Sequence, residues 1–220
     1  MRKPRKAVAA AFAAAAALTL SACGTGSSGD ESKPAASFDA PKKGGVVLDT
    51  PYEKPDLKLT DQKGDAYDLV KETKGKPTLL FFGYTHCPDV CPLTMSNIAV
   101  AKSQLTEEEQ KKLEVVFVTS DPERDDPKRL QEWLRGQDPA FTGLTGDFDA
   151  IQAGAKSVNI SIDPAEKKKN GDIISSHGSQ LLAFSPKDDK AHVLYTDSKD
   201  ANAVDVLKKE LPKIIKGENP

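Results

Sequence analysis

Apolar residues along the middle of this chain come in solid blocks. Leu79-Leu80-Phe81-Phe82 follows Pro77-Thr78 and leads into Gly83-Tyr84, an apolar run with the length of a strand and the continuity of one covered on both faces. Val115-Val116-Phe117-Val118-Thr119 repeats the pattern. Between them Leu93, Asn97, Val100, Ala101 and Leu105 recur at helical spacing behind Pro88 and Pro92, which predicts a helix over 92–105. Strand, helix and strand in that order form a crossover unit with parallel strands. Asp126-Pro127 then opens a helix through Trp133, and a short strand over 141–144 and a helix over 148–156 follow.

Beyond this point the pattern changes. Leu181-Leu182-Ala183-Phe184 and His192-Val193-Leu194-Tyr195 flank a polar loop of hairpin length, 186–190, and a last helix is predicted over 201–215. Earlier in the chain, Leu57-Lys58-Leu59-Thr60 and Asp65-Ala66-Tyr67-Asp68 enclose Gln62-Lys63-Gly64 as a further hairpin. The elements predict an α/β protein with a mixed central sheet flanked by helices. This is the thioredoxin-like arrangement, here with an extra N-terminal hairpin.

The two ends of the pattern divide the chain into three stretches. Arg2, Lys3, Arg5 and Lys6 precede a small and apolar run from Ala7 to Leu20, the anatomy of a signal peptide over 1–22 and too short for a membrane span. Leu20-Ser21-Ala22-Cys23-Gly24 resembles a bacterial lipobox, in which the cysteine becomes diacylated. Cys23 is thereby expected to hold the exported chain on the outer face of the bacterial cytoplasmic membrane. Residues 23–43, rich in Gly, Ser, Pro and Ala, read as a flexible tether, and 44–220 as one folded domain. Of three cysteines, Cys87 and Cys91 are then the only thiols of the folded part. The signal carries four of the 31 basic residues and none of the 33 acidic ones, so its removal shifts the net charge from −2 to about −6. That balance gives no footprint for nucleic acid, and Lys167-Lys168-Lys169 and Lys208-Lys209, each flanked by acidic residues, read as solvated surface.

The densest chemistry is Tyr84-Thr85-His86-Cys87-Pro88-Asp89-Val90-Cys91-Pro92, where the first buried strand gives way to a helix. Ligands of open α/β sheets sit at that edge, and a thiol near a helix N-terminus ionises readily. With a helix starting at Cys87, the i,i+4 spacing puts both sulfurs on one face. They can then close a disulfide or grip one soft metal ion.

Cys87-Pro88-Asp89-Val90-Cys91-Pro92 matches the C-P-D-x-C-P motif of the Sco/SenC copper proteins, and Val118-Thr119-Ser120-Asp121-Pro122-Glu123-Arg124-Asp125 resembles their second signature. The resemblance covers about 57–215. It implies a thioredoxin fold and binding of copper, Cu(I) or Cu(II), through two cysteines and a distant histidine. It further implies a metallochaperone that helps build the dinuclear copper site of cytochrome c oxidase, with the oxidase subunit II, a thiol reductase and an upstream copper donor as partners. The family's histidine lies just before the hairpin, where this chain has His177; many relatives carry an acidic residue immediately ahead of it, and this chain has Ser176.

Other residues fit blander roles. His86 points away from a helix beginning at Cys87, His192 faces solvent from a strand, and Met95 fills core. Asp121, at the same sheet edge, acts on the centre from behind the ligands or simply caps a turn, with Arg124 paired to Asp121 or Asp125. A structural disulfide over so short a loop would add little stability. The rival function is a thiol-disulfide reductase that keeps the oxidase's copper-site cysteines reduced. Thioredoxins, however, use C-x-x-C and a proline just before the hairpin, and this chain has none between Pro164 and Pro186. A copper sensor or store fits the same ligands, whereas nothing beyond the fold supports a peroxidase.

Overall fold

The structure, a computed structural model, describes residues 44–220 except Asp172 and Asp197. Its frame is an eight-stranded sheet. In chain order the elements are β1 (Val46–Glu53), β2 (Lys58–Asp61), β3 (Ala66–Asp68), α1 (Leu69–Glu72), β4 (Thr78–Gly83), α2 (Val90–Ser103), α3 (Glu107–Lys112) and β5 (Glu114–Thr119). They continue with α4 (Pro127–Arg135), β6 (Thr142–Thr145), α5 (Phe148–Ser157), β7 (Glu166–Lys167), β8 (Ile173–Ile174), β9 (Leu181–Phe184), β10 (Lys190–Tyr195) and α6 (Ala203–Ile215).

Across the sheet the strand order is β1-β10-β9-β4-β5-β6-β2-β3. β4, β5 and β6 run parallel, and β9 lies antiparallel against β4. The parallel pairs follow from the helical crossovers between them, and the hairpin β9–β10 supplies the antiparallel side. β4 and β9 run in opposite directions, with Phe81 paired to Leu181, so the end of β4 and the start of β9 meet at one edge. That juxtaposition positions the site.

The strand pleat sorts β4 onto two cores. Leu79 and Phe81 pack with Met95, Ile98, Phe117, Leu130 and Leu211 on one face; Leu80 and Phe82 pack with Val116, Val118, Leu144 and Ile151 on the other. Each face is closed by helices, which is why the strand is apolar throughout.

The mixed sheet, the flanking helices and the extra hairpin β2–β3 agree with the expectation, and α4, α5, β9 and α6 fall within two residues of it at each end. Four features differ. β1 does not stand out in the sequence because it lies along the outer edge of the sheet on β10 with mostly exposed residues and carries Pro51. The separate hairpin β7–β8 is exposed and only two residues a side, and α3 is a short surface helix written in its Thr106–Glu109 capping box. In α2, the expected face is turned. Leu93 and Val100 are exposed, while Cys91, Met95, Ile98 and Ala101 are wholly buried. The helix starts at Val90, capped by Asp89, and the phase set there directs Cys91 and its i+4 and i+7 neighbours at the sheet.

Met95 is thus core, as its context implied. Met95→Ala should destabilise the fold by about 2–5 kcal/mol and Met95→Leu by less than about 1.5 kcal/mol. Denaturant midpoints at constant m-value will show the difference.

Candidate metal centre

The cysteine arm begins where β4 stops. After Gly83 the chain turns through Tyr84, Thr85 and His86 and reaches Cys87 two residues ahead of the cap of α2. Cys87 therefore lies outside the helix, contrary to a helix starting there. The cause is Asp89, whose carboxylate accepts from Val90 N (2.5 Å) and fixes the helix start at Val90. Cys91 then sits in the first turn, where its N–H has no helical partner and donates to Cys87 Sγ (3.4 Å). The loop folds the first sulfur over the helix end, so the two sulfurs meet without sharing a helix face. Gly83 is required here: a Cβ on it would lie 2.7 Å from Cys91 Sγ and 2.9 Å from the Phe81 ring.

The histidine arm arrives from the other side, in the stretch between β8 and β9. His177 Nε2 stands 3.4 Å from Cys87 Sγ and 3.8 Å from Cys91 Sγ. Its Nδ1 lies 2.8 Å from the Gly178 carbonyl, a contact that directs Nε2 at the sulfurs. The ring is held edge-on to Tyr84, with centroids 5.3 Å apart. Cys91 is fully buried, Cys87 nearly so and His177 half-buried. One donor atom from each of the three lies within 4.8 Å of the others, and no fourth His, Cys, Asp or Glu joins them among the described residues.

Charge in this cluster is unevenly shared. Cys87 is brought down to about 4, chiefly because the Cys91 thiol donates to it; burial opposes the shift, and His177 and the Cys91 N–H add to it. The same bond pushes Cys91 far up, and burial reinforces the rise. For His177, burial works against the charge, but the bonds to Cys87 and to the Gly178 carbonyl outweigh it and the net shift is upward. Of the two thiols Cys87 is thus the more acidic and Cys91 the one that holds its proton, and the His177 imidazole takes up a proton more readily than a free ring.

Two buried carboxylates stand behind the three donors, both on the loop after β5. Asp121 accepts from Arg124 Nε (2.5 Å) and from Ser175 Oγ (2.8 Å), two residues before His177. The Arg124 guanidinium also lies 5.9 Å over the Tyr84 ring. Of the two partners considered for Arg124, Asp121 is the one. Asp125, wholly buried, accepts from Thr85 N (2.8 Å), Thr85 Oγ1 (2.6 Å) and Thr119 Oγ1 (2.7 Å). His86 turns away from the sulfurs and sets Nδ1 3.4 Å from Asp125. His192 sits in β10 beside Asp188, far along the strand from the cysteines. Sequence reasoning passed over Thr85, Ser175 and the role of Asp125. The signal available for Asp125 was its place at the end of the second signature, and Ser175 carried none. Cys23 lies outside the described residues, among which no helix is long and apolar enough to cross a membrane.

A thioredoxin-like sheet that brings two thiol sulfurs and an imidazole to one edge defines a soft-metal binding protein with a redox-capable cysteine pair. The donor set fits copper. A closed structural zinc site wants four ligands.

Comparison with known proteins gives the family. The SCO1/SenC model matches residues 48–211, and the chain belongs to that family. A protein of Stutzerimonas stutzeri named as a candidate copper-binding protein is 33% identical over 175 residues, 78% of this chain and 82% of the relative. Mitochondrial SCO2 of Saccharomyces cerevisiae is 32% identical over 145 residues, 66% of this chain but only 46% of the yeast protein. Among solved structures, copper-bound ScoI of Bradyrhizobium japonicum is 31% identical and superposes with a TM-score of 0.59, over 73% of this chain and 97% of ScoI.

Selective alkylation will report the charge distribution. At pH 7 iodoacetamide should modify Cys87 and spare Cys91. The Cys87 rate should stay level as pH falls from 8 and drop only as the thiolate protonates towards about 4. Because the folded value lies below the ordinary 9.0, this ionisation stabilises the fold fully above about pH 9, and the contribution is lost as pH falls towards 4.

Proposed function

We propose that the protein is a copper metallochaperone that takes up one copper ion through Cys87, Cys91 and His177 and passes it towards the dinuclear copper site of cytochrome c oxidase. The observation that carries this reading is the convergence of two sulfurs and one imidazole nitrogen within 4.8 Å on a scaffold of this family. Three ligands leave a coordination position for a donor group of the target, so the ion can be shared before it is released. Asp121, through Arg124 and Ser175, acts on the centre from behind the ligands.

The remaining parts of the reading concern delivery. Residues 1–22 direct export, Cys23 carries the lipid, 23–43 form the tether, and 44–220 carry the copper. Confinement to the outer face of the membrane raises the effective concentration of protein and target. The target is the oxidase subunit II, an upstream donor supplies copper, and a thiol reductase keeps Cys87 and Cys91 reduced in an oxidising compartment.

The low-lying Cys87 thiolate favours one rival, a reductase that opens disulfides on the target. A titration separates the two. The full chain in detergent, fully reduced, is titrated with Cu(I) against a competing chelator beside Cys87→Ser, Cys91→Ser and His177→Ala. The expected result is one tight equivalent, weakened at least about tenfold by each substitution. Wild type that binds no tighter than the variants, and that rapidly reduces a disulfide substrate, would replace the copper reading with the reductase.

A further inference from the structure

The two halves of the centre come from distant parts of the chain, and each is fastened to its own carboxylate of the loop after β5. Asp125 holds the cysteine arm through Thr85 and β5 through Thr119. Asp121 holds the histidine arm, and it reaches that arm at Ser175. The Ser175 hydroxyl donates to Asp121 Oδ2 (2.8 Å) and accepts from Arg124 Nη2 (3.2 Å). Ser175 is 3% exposed, whereas β8 immediately before it is exposed at both residues. Between the hairpin β7–β8 and β9, Ser175 is therefore the point at which the arm is tied down, two residues from the ligand.

We infer that Ser175 is a positioning residue for His177: its bond to the Asp121–Arg124 pair holds the histidine arm over the sulfurs before any metal arrives. The inference rests on the copper reading for its consequence, though the latch itself belongs to the metal-free chain. A buried hydroxyl with both a charged acceptor and a charged donor is fixed in direction as well as position. Residues 176 and 177 then have little freedom, and Gly178, where a Cβ would meet Ile160 and the Gln180 side chain, lets the arm pass close to its neighbours. The entropy of ordering the arm is thus spent at folding and is absent from metal binding.

The test uses the full chain in detergent with Ser175→Ala, Ser175→Thr, His177→Ala and the double variant Ser175→Ala/His177→Ala. In the metal-free protein, Ser175→Ala should raise amide exchange across residues 175–178 and leave β4, β5 and α2 unchanged. In the Cu(I) competition, Ser175→Ala should lose about ten- to hundredfold in affinity, the usual range for a partner behind a ligand, and Ser175→Thr should restore most of it. The double variant should bind no more weakly than His177→Ala alone, because Ser175 acts only through that ring. Two results overturn the inference. One is unchanged exchange at 175–178 in Ser175→Ala. The other is an equal loss in affinity from Ser175→Ala with and without His177, which would assign the serine to the cysteines or to the fold. If His177→Ala leaves affinity unchanged while exchange at 175–178 still rises in Ser175→Ala, it is the copper reading that falls and the latch that stands.

Discussion

The Asp125 carboxylate is buried beyond the reach of water and satisfied by three short hydrogen bonds, two from Thr85 after β4 and one from Thr119 at the end of β5. A buried charge is tolerated only when its lone pairs are filled, so this group dictates where both strand ends must lie. Arg129 of α4 donates to the Thr85 hydroxyl from the far side, which brings the following helix into the same arrangement. Everything in the cysteine arm follows. Thr85 is two residues from Cys87, the turn between them places the sulfur above the start of α2, and there the Cys91 thiol, with help from the Cys91 N–H, lowers its pKa. The histidine arm makes no direct bond to Asp125 and is held at Ser175 by Asp121, four residues earlier on the same loop and joined to the network through the Thr119 hydroxyl.

The division of labour explains why the β5–α4 loop reads as a signature in the sequence although none of its residues supplies one of the three clustered donor atoms. Its carboxylates fasten the two stretches that carry the three donors, whose ligating atoms lie within 4.8 Å of one another. Such preorganisation has an electrostatic cost. It shows in the acidities of the donors, with the Cys87 thiol lowered and the Cys91 thiol and His177 imidazole raised.

Much of this was legible beforehand, unevenly. β4, β5 and β9 could be read from their apolar runs because burial on both faces leaves no polar position to confuse the pattern. Cys87 and Cys91 stood out by spacing and by their place after a buried strand. His177, a lone histidine in a polar stretch, could be chosen only through the family resemblance. The face of α2 was misread because Leu93 and Val100 are apolar but exposed, while the buried stripe includes a cysteine and a methionine; the phase of a helix depends on its cap, and the cap is one aspartate. β1 stayed hidden for the opposite reason, since an edge strand with solvent on it has no core pattern to show. Ser175 lay beyond sequence reading because its significance is a contact across 54 positions of chain.

The separation of the three donors along the chain sets when they can meet. Cys87 and His177 are 90 residues apart, and β5, β6 and the crossover helices lie between them. Bringing such distant positions together costs loop-closure entropy that only a completed sheet can offset. The three-donor set is therefore a product of the finished fold. A chain whose sheet is unfinished carries Cys87 and Cys91 close together but has His177 far away, so the meeting of all three donors itself reports that folding is over. An ion held by both arms would cross-link the chain around the middle of the sheet and tie the stability of the parallel strands to occupancy of the site.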